Sequence, residues 1–250
     1  MTSSAPAARA RRRTALAVVL CAGMTAALTA CAAEDPDKGT NGLGKLTAEQ
    51  IEKKTRAAAD AADAVRLTGK LVGKGGTYTL NMQLSADGGT GSVTSKKNTF
   101  ALLRVGDELF LKADAGFWAD DKGDDGSTEA AGKLQGKYVK VPEDDPTYQQ
   151  LRGFTEKKTL LDGMLTLHGK VNKGDRGTIG GIRTVQIMGG KGEGGTLDVS
   201  LEGTPYPLRV ARGGGGGSVK LADWGEDFAL EAPAEGDTVD YGGQLPKSSG

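Results

Sequence analysis

Apolar residues fall on every second position through much of this chain. Tyr78, Leu80, Met82 and Leu84 alternate with Thr77, Thr79, Asn81 and Gln83, and Val65, Leu67 and Leu71 follow the same rule. Successive side chains of an extended segment point to opposite faces, so a period of two predicts strands with one dry and one wet face. The pattern returns at 184–188, 196–202, 207–212, 218–222 and 228–231, as in Leu197, Val199 and Leu201 against Asp198, Ser200 and Glu202. Glycines at 73–76 and 213–217 supply turns between strands. A chain written this way must build a sheet that buries one side.

Residues 99–113 break the one-sided rule. Gly106-Asp107 suits a tight hairpin turn, which places Phe100, Leu102, Leu109 and Leu111 on one face and Ala101, Leu103, Val105 and Phe110 on the other. Both faces are mainly apolar, so this hairpin needs cover on both sides, from a helix, a lid or a ligand. Either face could point inward.

Two stretches read as helical. Thr47 and Gln50 have the spacing of a capping box, Leu46 and Ile51 that of a hydrophobic staple, and the alanine-rich run continues to about residue 64. Its apolar stripe, Ile51, Ala58 and Ala62, is thin enough to pack close to a sheet. Residues 146–167 follow, with Leu160, Leu161, Met164, Leu165 and Leu167 on an apolar face broken by Gly163. Tyr138 to Val141 reads as a short strand stopped by Pro142. The sum is an α+β arrangement, an antiparallel sheet of about nine to eleven strands with helices on one side.

The N-terminus sets the compartment. Arg9, Arg11, Arg12 and Arg13 precede an uncharged run from Ala15 to Ala30, the order of a secretory signal, and the run is short for a permanent membrane helix. It ends in Leu28-Thr29-Ala30-Cys31, which resembles a bacterial lipobox; the resemblance implies cleavage before Cys31 and a diacylglycerol thioether on its sulfur. An ordinary signal with an incidental cysteine is the alternative. Without the four arginines, 28 basic residues face 32 acidic ones, which argues against nucleic acid as a partner. Cys21 lies within the signal, so the exported part has no disulfide. Residues 1–30 are expected as the signal peptide, 31–45 as a flexible tether, 46–233 as the folded domain and 234–250 as a disordered tail.

Catalytic chemistry finds no foothold. His168 is the sole histidine, stands just before Gly169 and reads as a helix-end residue, with no Gly-x-Ser-x-Gly motif beside it. No cofactor and no metal are expected, since zinc lacks ligands. Asp120 to Asp125 is acidic, but Lys122 occupies a ligand position of a calcium loop and no glutamate closes it. The five glycines at 213–217 lack the lysine and following helix of a phosphate loop. Loop carboxylates are numerous, yet nothing selects a pair.

Several short runs resemble the actinobacterial LppX/LprG-type lipoproteins, related in fold to LolA and LolB. They are Leu67-Thr68-Gly69; Leu103-Arg104-Val105-Gly106-Asp107-Glu108-Leu109-Phe110-Leu111-Lys112 with Phe117-Trp118; and Gly136-Lys137-Tyr138-Val139-Lys140-Val141. Gly181-Ile182-Arg183-Thr184-Val185-Gln186-Ile187 and Val219-Lys220-Leu221-Ala222-Asp223-Trp224-Gly225 continue the series. The resemblance implies a strongly curved antiparallel half-barrel whose concave face, covered by helices, binds lipid. It implies a non-enzymatic protein of the extracytoplasmic face of the cell membrane, with a lipid or lipoglycan ligand and an envelope transporter as possible partner. Candidate cavity residues are Phe100, Leu102, Leu109, Leu111, Phe117, Trp118, Leu160, Leu161 and Met164, and Cys31 is the lipid anchor. The rival is a structural or sensory lipoprotein with a packed core that acts through a protein partner.

Overall fold

The computed structural model describes residues 35–73, 76–95, 98–118 and 132–240, and those from Asp37 onward belong to one compact unit. The expected signal peptide, Cys31, the acidic run at 120–125 and the last ten residues lie outside the described residues.

Twelve strands make a single sheet. They are β1 (Ala64–Gly73), β2 (Gly76–Ser85), β3 (Gly88–Thr94), β4 (Thr99–Val105), β5 (Glu108–Ala113) and β6 (Tyr138–Val141), then β7 (Val171–Ile179), β8 (Ile182–Gly189), β9 (Thr196–Ser200), β10 (Pro207–Ala211), β11 (Gly217–Ala222) and β12 (Thr238–Asp240). Their order is β12-β6-β5-β4-β3-β2-β1-β11-β10-β9-β8-β7. Every pairing is antiparallel except β12 on β6, which is parallel. The count exceeds the nine to eleven expected because β3 carries weak alternation and β12 lies in the stretch read as a tail.

The helices that accompany the sheet include α1 (Ala48–Ala61), α2 (Ala115–Trp118), α3 (Pro146–Thr155) and α4 (Lys157–Leu165). The capping box forms: Gln50 N–H donates to Thr47 Oγ1 at 3.3 Å and Thr47 N–H donates to Gln50 Oε1 at 3.0 Å. Ile51 and Ala62 are buried as expected, while Thr55 and Ala59 take the buried positions between them and Ala58 is half-buried. The second helical stretch divides at Glu156. Asp145 caps its first half by accepting from Thr147 N–H at 2.7 Å, with Pro146 at the first turn.

The helices show how the sheet bends. Helix α1 packs on β7 and β8, α3 packs on β3 and β4, and α4 touches both α1 and α3. In the sheet, β8 and β3 are six strand spacings apart, roughly 29 Å if flat. Helices pack at about 8–10 Å, so three side by side bridge that distance only if the sheet curves around them. The result is a curved α+β half-barrel with helices on its concave face. Gly69 and Gly91, at φ 158° and 150°, mark bends in β1 and β3.

Three segments differ from expectation. Residues 37–45, read as tether, are packed on the domain. Asn41 Nδ2 donates to the carbonyls of Ser200 and Gly203, Arg183 donates to those of Lys38 and Gly39, and Leu43 is buried. Residues 228–231 form no strand. Both flanks of β1 are already taken by β2 and β11, so the segment after Gly225 finds no free ladder there and runs on to β12. The tail read as disordered from 234 is ordered to 240, since Thr238, Val239 and Asp240 pair with Tyr138, Val139 and Lys140.

Candidate functional site

Register fixes which face of the β4–β5 hairpin meets the helices. Phe100 pairs with Ala113, Leu102 with Leu111 and Arg104 with Leu109 on one face; Leu103 pairs with Phe110 and Val105 with Glu108 on the other. Across the sheet Leu102 continues to Gly91, Met82, Leu67 and Leu221, all on the helix side. Phe100, Leu102, Leu109 and Leu111 thus belong to one buried cluster with Trp118, Leu161 and Met164, against which Phe117 and Leu160 pack half-buried. Leu102, Leu109, Leu111 and Leu161 are no more than 1% exposed. These walls touch protein on every side.

Two aromatic groups stand at the end of this face away from the β4–β5 turn. The rings of Phe100 and Phe117 lie 5.7 Å apart, and Phe117 meets Trp118 edge-on at 5.1 Å. Trp118 Nε1 donates to Ala113 O at 3.2 Å, which satisfies its only donor. Tyr78 and Phe154 form a second pair at 5.9 Å. Register joins the two groups, because Leu80, two residues after Tyr78, pairs with Val93 and Val93 with Phe100. Phe117, Phe154 and Tyr78 are half-buried, so this end keeps partly accessible apolar surface.

Polar fixtures hold the cover in place. Tyr148 Oη donates to Asp107 O at 2.6 Å and ties the start of α3 to the hairpin turn. Arg104 stands on the apolar helix-facing side, 4% exposed. Its Nε and Nη2 donate to Thr155 Oγ1 and Thr155 O, at 3.3 and 3.1 Å, and Nη1 to Gly106 O. A guanidinium at the last carbonyls of α3 is favoured by the helix dipole. Burial and the nearby Arg152 push its pKa down from the ordinary value, while an arginine remains charged. Lys157 Nζ donates to Ala62 O and ties α4 to the end of α1. The one sign of Arg104 in the sequence is its place two residues after Leu102, which puts a charge on an apolar stripe.

A second concavity lies where α4 ends. The 166–170 connection, the β8–β9 turn and the β10–β11 turn converge there through glycines. His168 N–H donates to Gly194 O at 3.0 Å, and Gly194 N–H to Gly189 O at 3.0 Å. A Cβ on Gly213 would fall 1.7 Å from Glu193 O. The hollow holds about 130 Å³, with Met164 and Leu167 as floor and His168, Glu193 and Arg212 around it. His168 is exposed and lies beyond the helix, whose C-cap is Thr166, rather than in its last turn as the sequence suggested. The reason is that its peptide joins the glycine turn instead of the helix.

On the convex face Leu103 and Phe110 are also buried, at 7% and 4% exposure. The segment between β11 and β12 runs past them. Gly225 N–H donates to Ala64 O, Leu230 packs beside Gly88 opposite Val105, and Lys137 Nζ donates to Gly236 O. Among the described residues no three of His, Cys, Asp and Glu are grouped to hold a metal, and no helix is long and apolar enough to cross a membrane.

The curved sheet with helices in its hollow is the half-barrel fold of the LppX/LprG-type lipoproteins. Among solved structures the chain matches LprF from Mycobacterium bovis, at TM-score 0.50 and 13% identity over 75% of this chain and 97% of LprF. It also matches the Mycobacterium tuberculosis lipoprotein LppX, at TM-score 0.44 and 13% identity over 73% of this chain and 97% of LppX. No protein-family model and no curated protein sequence matches the chain. At this identity the likeness to LprF is one of fold.

Proposed function

We propose that this chain is a non-enzymatic envelope lipoprotein that takes acyl chains between its curved sheet and α3–α4, for transfer of a lipid or lipoglycan. In this reading diacylglycerol on Cys31 anchors it to the extracytoplasmic face of the cytoplasmic membrane, and an envelope transporter is a fitting partner. The observation that carries the reading is the helix-facing side of β4–β5. An apolar wall of Phe100, Leu102, Leu109 and Leu111, with Arg104 at its turn end, finishes in half-buried aromatics, and the helices over it are tied down by a few polar contacts. Burying apolar tails against such a wall yields about 25 cal/mol per Å². An acyl chain takes its place by displacing α3 and α4 from the wall, with the aromatic end as the way in.

One observation favours the rival, a packed structural or sensory lipoprotein acting through a protein partner: the wall residues are already closed against protein. Native mass spectrometry of the purified protein incubated with extracted envelope lipids separates the two. Retained lipid mass that is displaced by competing acyl chains supports the carrier. A protein that stays free of lipid at every ratio supports the packed reading.

A further inference from the structure

The hollow at the end of α4 has features that an apolar carrier alone does not need. Met164 belongs both to the buried cluster and to the lining of this hollow, so the hollow adjoins the apolar interior. Leu167 extends the same lining. The rim is different in character: Arg212 and Glu193 project from two turns, and neither makes an ion pair among the described residues. His168 lines the same hollow, and its imidazole offers a further N–H donor. Opposite charges left unpaired around one concavity, rather than neutralising each other, suit a ligand that carries both signs. The glycines at 194, 195 and 213 keep the lining to backbone there. About 130 Å³ is room for a headgroup and not for a chain.

We infer that this hollow binds the zwitterionic headgroup of an amphiphile: a phosphate toward Arg212 and His168, an amine toward Glu193, and the acyl chain passing Met164 into the interior. Arginine matches phosphate oxygens with paired N–H donors, and a carboxylate accepts from an ammonium. The inference rests on the acyl-chain reading above for its last part only. It adds a ligand class, phosphate esters of amino alcohols carrying acyl chains, and a second portal distinct from the aromatic end.

His168 is the only histidine, so the tag-free full chain in uncharged detergent gives a single set of imidazole proton signals. Titration with glycerophosphoethanolamine, which has no acyl chain, is expected to shift them saturably. Arg212→Gln is expected to weaken that binding about tenfold, the scale of one charge-assisted contact, and Arg212→Lys to keep part of it. Glu193→Gln is expected to weaken glycerophosphoethanolamine while leaving glycerophosphate unchanged or tighter. Both residues sit in turns, and unchanged melting temperatures check that the variants fold. No saturable shift, or a shift indifferent to Arg212→Gln, overturns the headgroup site. Native mass spectrometry with lysophosphatidylethanolamine and with a monoacylglycerol of equal chain length then tests the tail. Loss of the first but not the second in Arg212→Gln supports the whole proposal. If neither lipid binds while the soluble headgroup still does, the acyl-chain reading fails and the headgroup site stands. If both lipids bind equally well to Arg212→Gln, the headgroup site fails and the acyl-chain reading stands.

Discussion

Gly69 and Gly91 sit where two central strands turn through backbone angles that L side chains rarely adopt. A Cβ on Gly69 would lie 2.2 Å from Ser218 O, and one on Gly91 2.1 Å from Asn81 O, both main-chain atoms that cannot swing aside. Gly69→Ala or Gly91→Ala therefore forces neighbouring strands apart, and each is expected to cost at least ~2 kcal/mol from strain and overpacking. Denaturant midpoints check this, and an unchanged midpoint means the bend is made elsewhere. At the surface Glu202 carries a pH dependence. It accepts from Arg183 N–H at 3.0 Å and Arg183 Nε at 3.1 Å, and these bonds hold its carboxyl below the ordinary range. A carboxyl that binds its proton less tightly when folded adds stability above the unfolded pKa, about 4.3, and loses it as pH falls through the folded value. Melting curves taken from pH 6 down to pH 3 are expected to fall less steeply for Glu202→Gln than for the natural chain. Parallel slopes would remove Glu202 from the acid response.

The β4–β5 hairpin was readable in the sequence because Gly106-Asp107 fixes the turn, and the turn fixes every partner from Phe100 to Ala113. The start of α1 was readable for a similar reason, since its capping box is local. Elements defined by their neighbours were not. Strand β3 is Gly-Gly-Thr-Gly-Ser-Val-Thr, where glycine stands at inward positions and erases the alternation. Strand β7 is a sheet edge with no buried residue, so no apolar rhythm marks it. Residues 228–231 alternate correctly, yet no strand flank near them is vacant. Of the candidate site, the apolar wall was legible and its polar fixtures were not, because Arg104, Thr155, Tyr148 and Asp107 meet only in the folded chain. Leu102, opposite Leu111 at the middle of the wall, tests whether the wall opens. Leu102→Trp adds volume there. In a permanently packed core such overpacking costs about 1–3 kcal/mol and leaves no binding to lose. In a site whose helices lift, the indole occupies space an acyl chain uses, so lipid uptake falls more than stability does. Thermal melts and a fluorescent-lipid titration on the same variant distinguish them, and large destabilisation with uptake unaltered defeats the carrier reading.

At the scale of the domain, residues 37–45 and 238–240 are fastened more closely than the sequence suggested. Parallel pairing of β12 covers the open flank of β6. At the other end Asp37 is held by Arg176 at 2.8 Å, and Arg183 grips the carbonyls of Lys38 and Gly39. If Cys31 bears the diacylglycerol, six residue steps separate the anchor from the fixed domain, a reach of about 20 Å at full extension. The domain then stands close over the headgroups, a short path for a lipid moving between bilayer and protein. No described helix is long and apolar enough to cross a membrane. Cys31→Ser is accordingly expected to leave the protein in the medium or as an uncleaved precursor, with the fold unchanged. The natural chain from the membrane fraction is expected to show an intact mass that begins at Cys31 and includes acyl groups. An N-terminus elsewhere, or Cys31 without acyl mass, would defeat the anchoring and the short reach with it. Arg176→Ala combined with Arg183→Ala separates the two: the pair removes the side-chain holds on Asp37, Lys38 and Gly39 and lengthens the tether while the anchor stays. Membrane association is then expected to persist while transfer of lipid between bilayer and protein slows; transfer at the original rate would show that closeness to the bilayer does not matter.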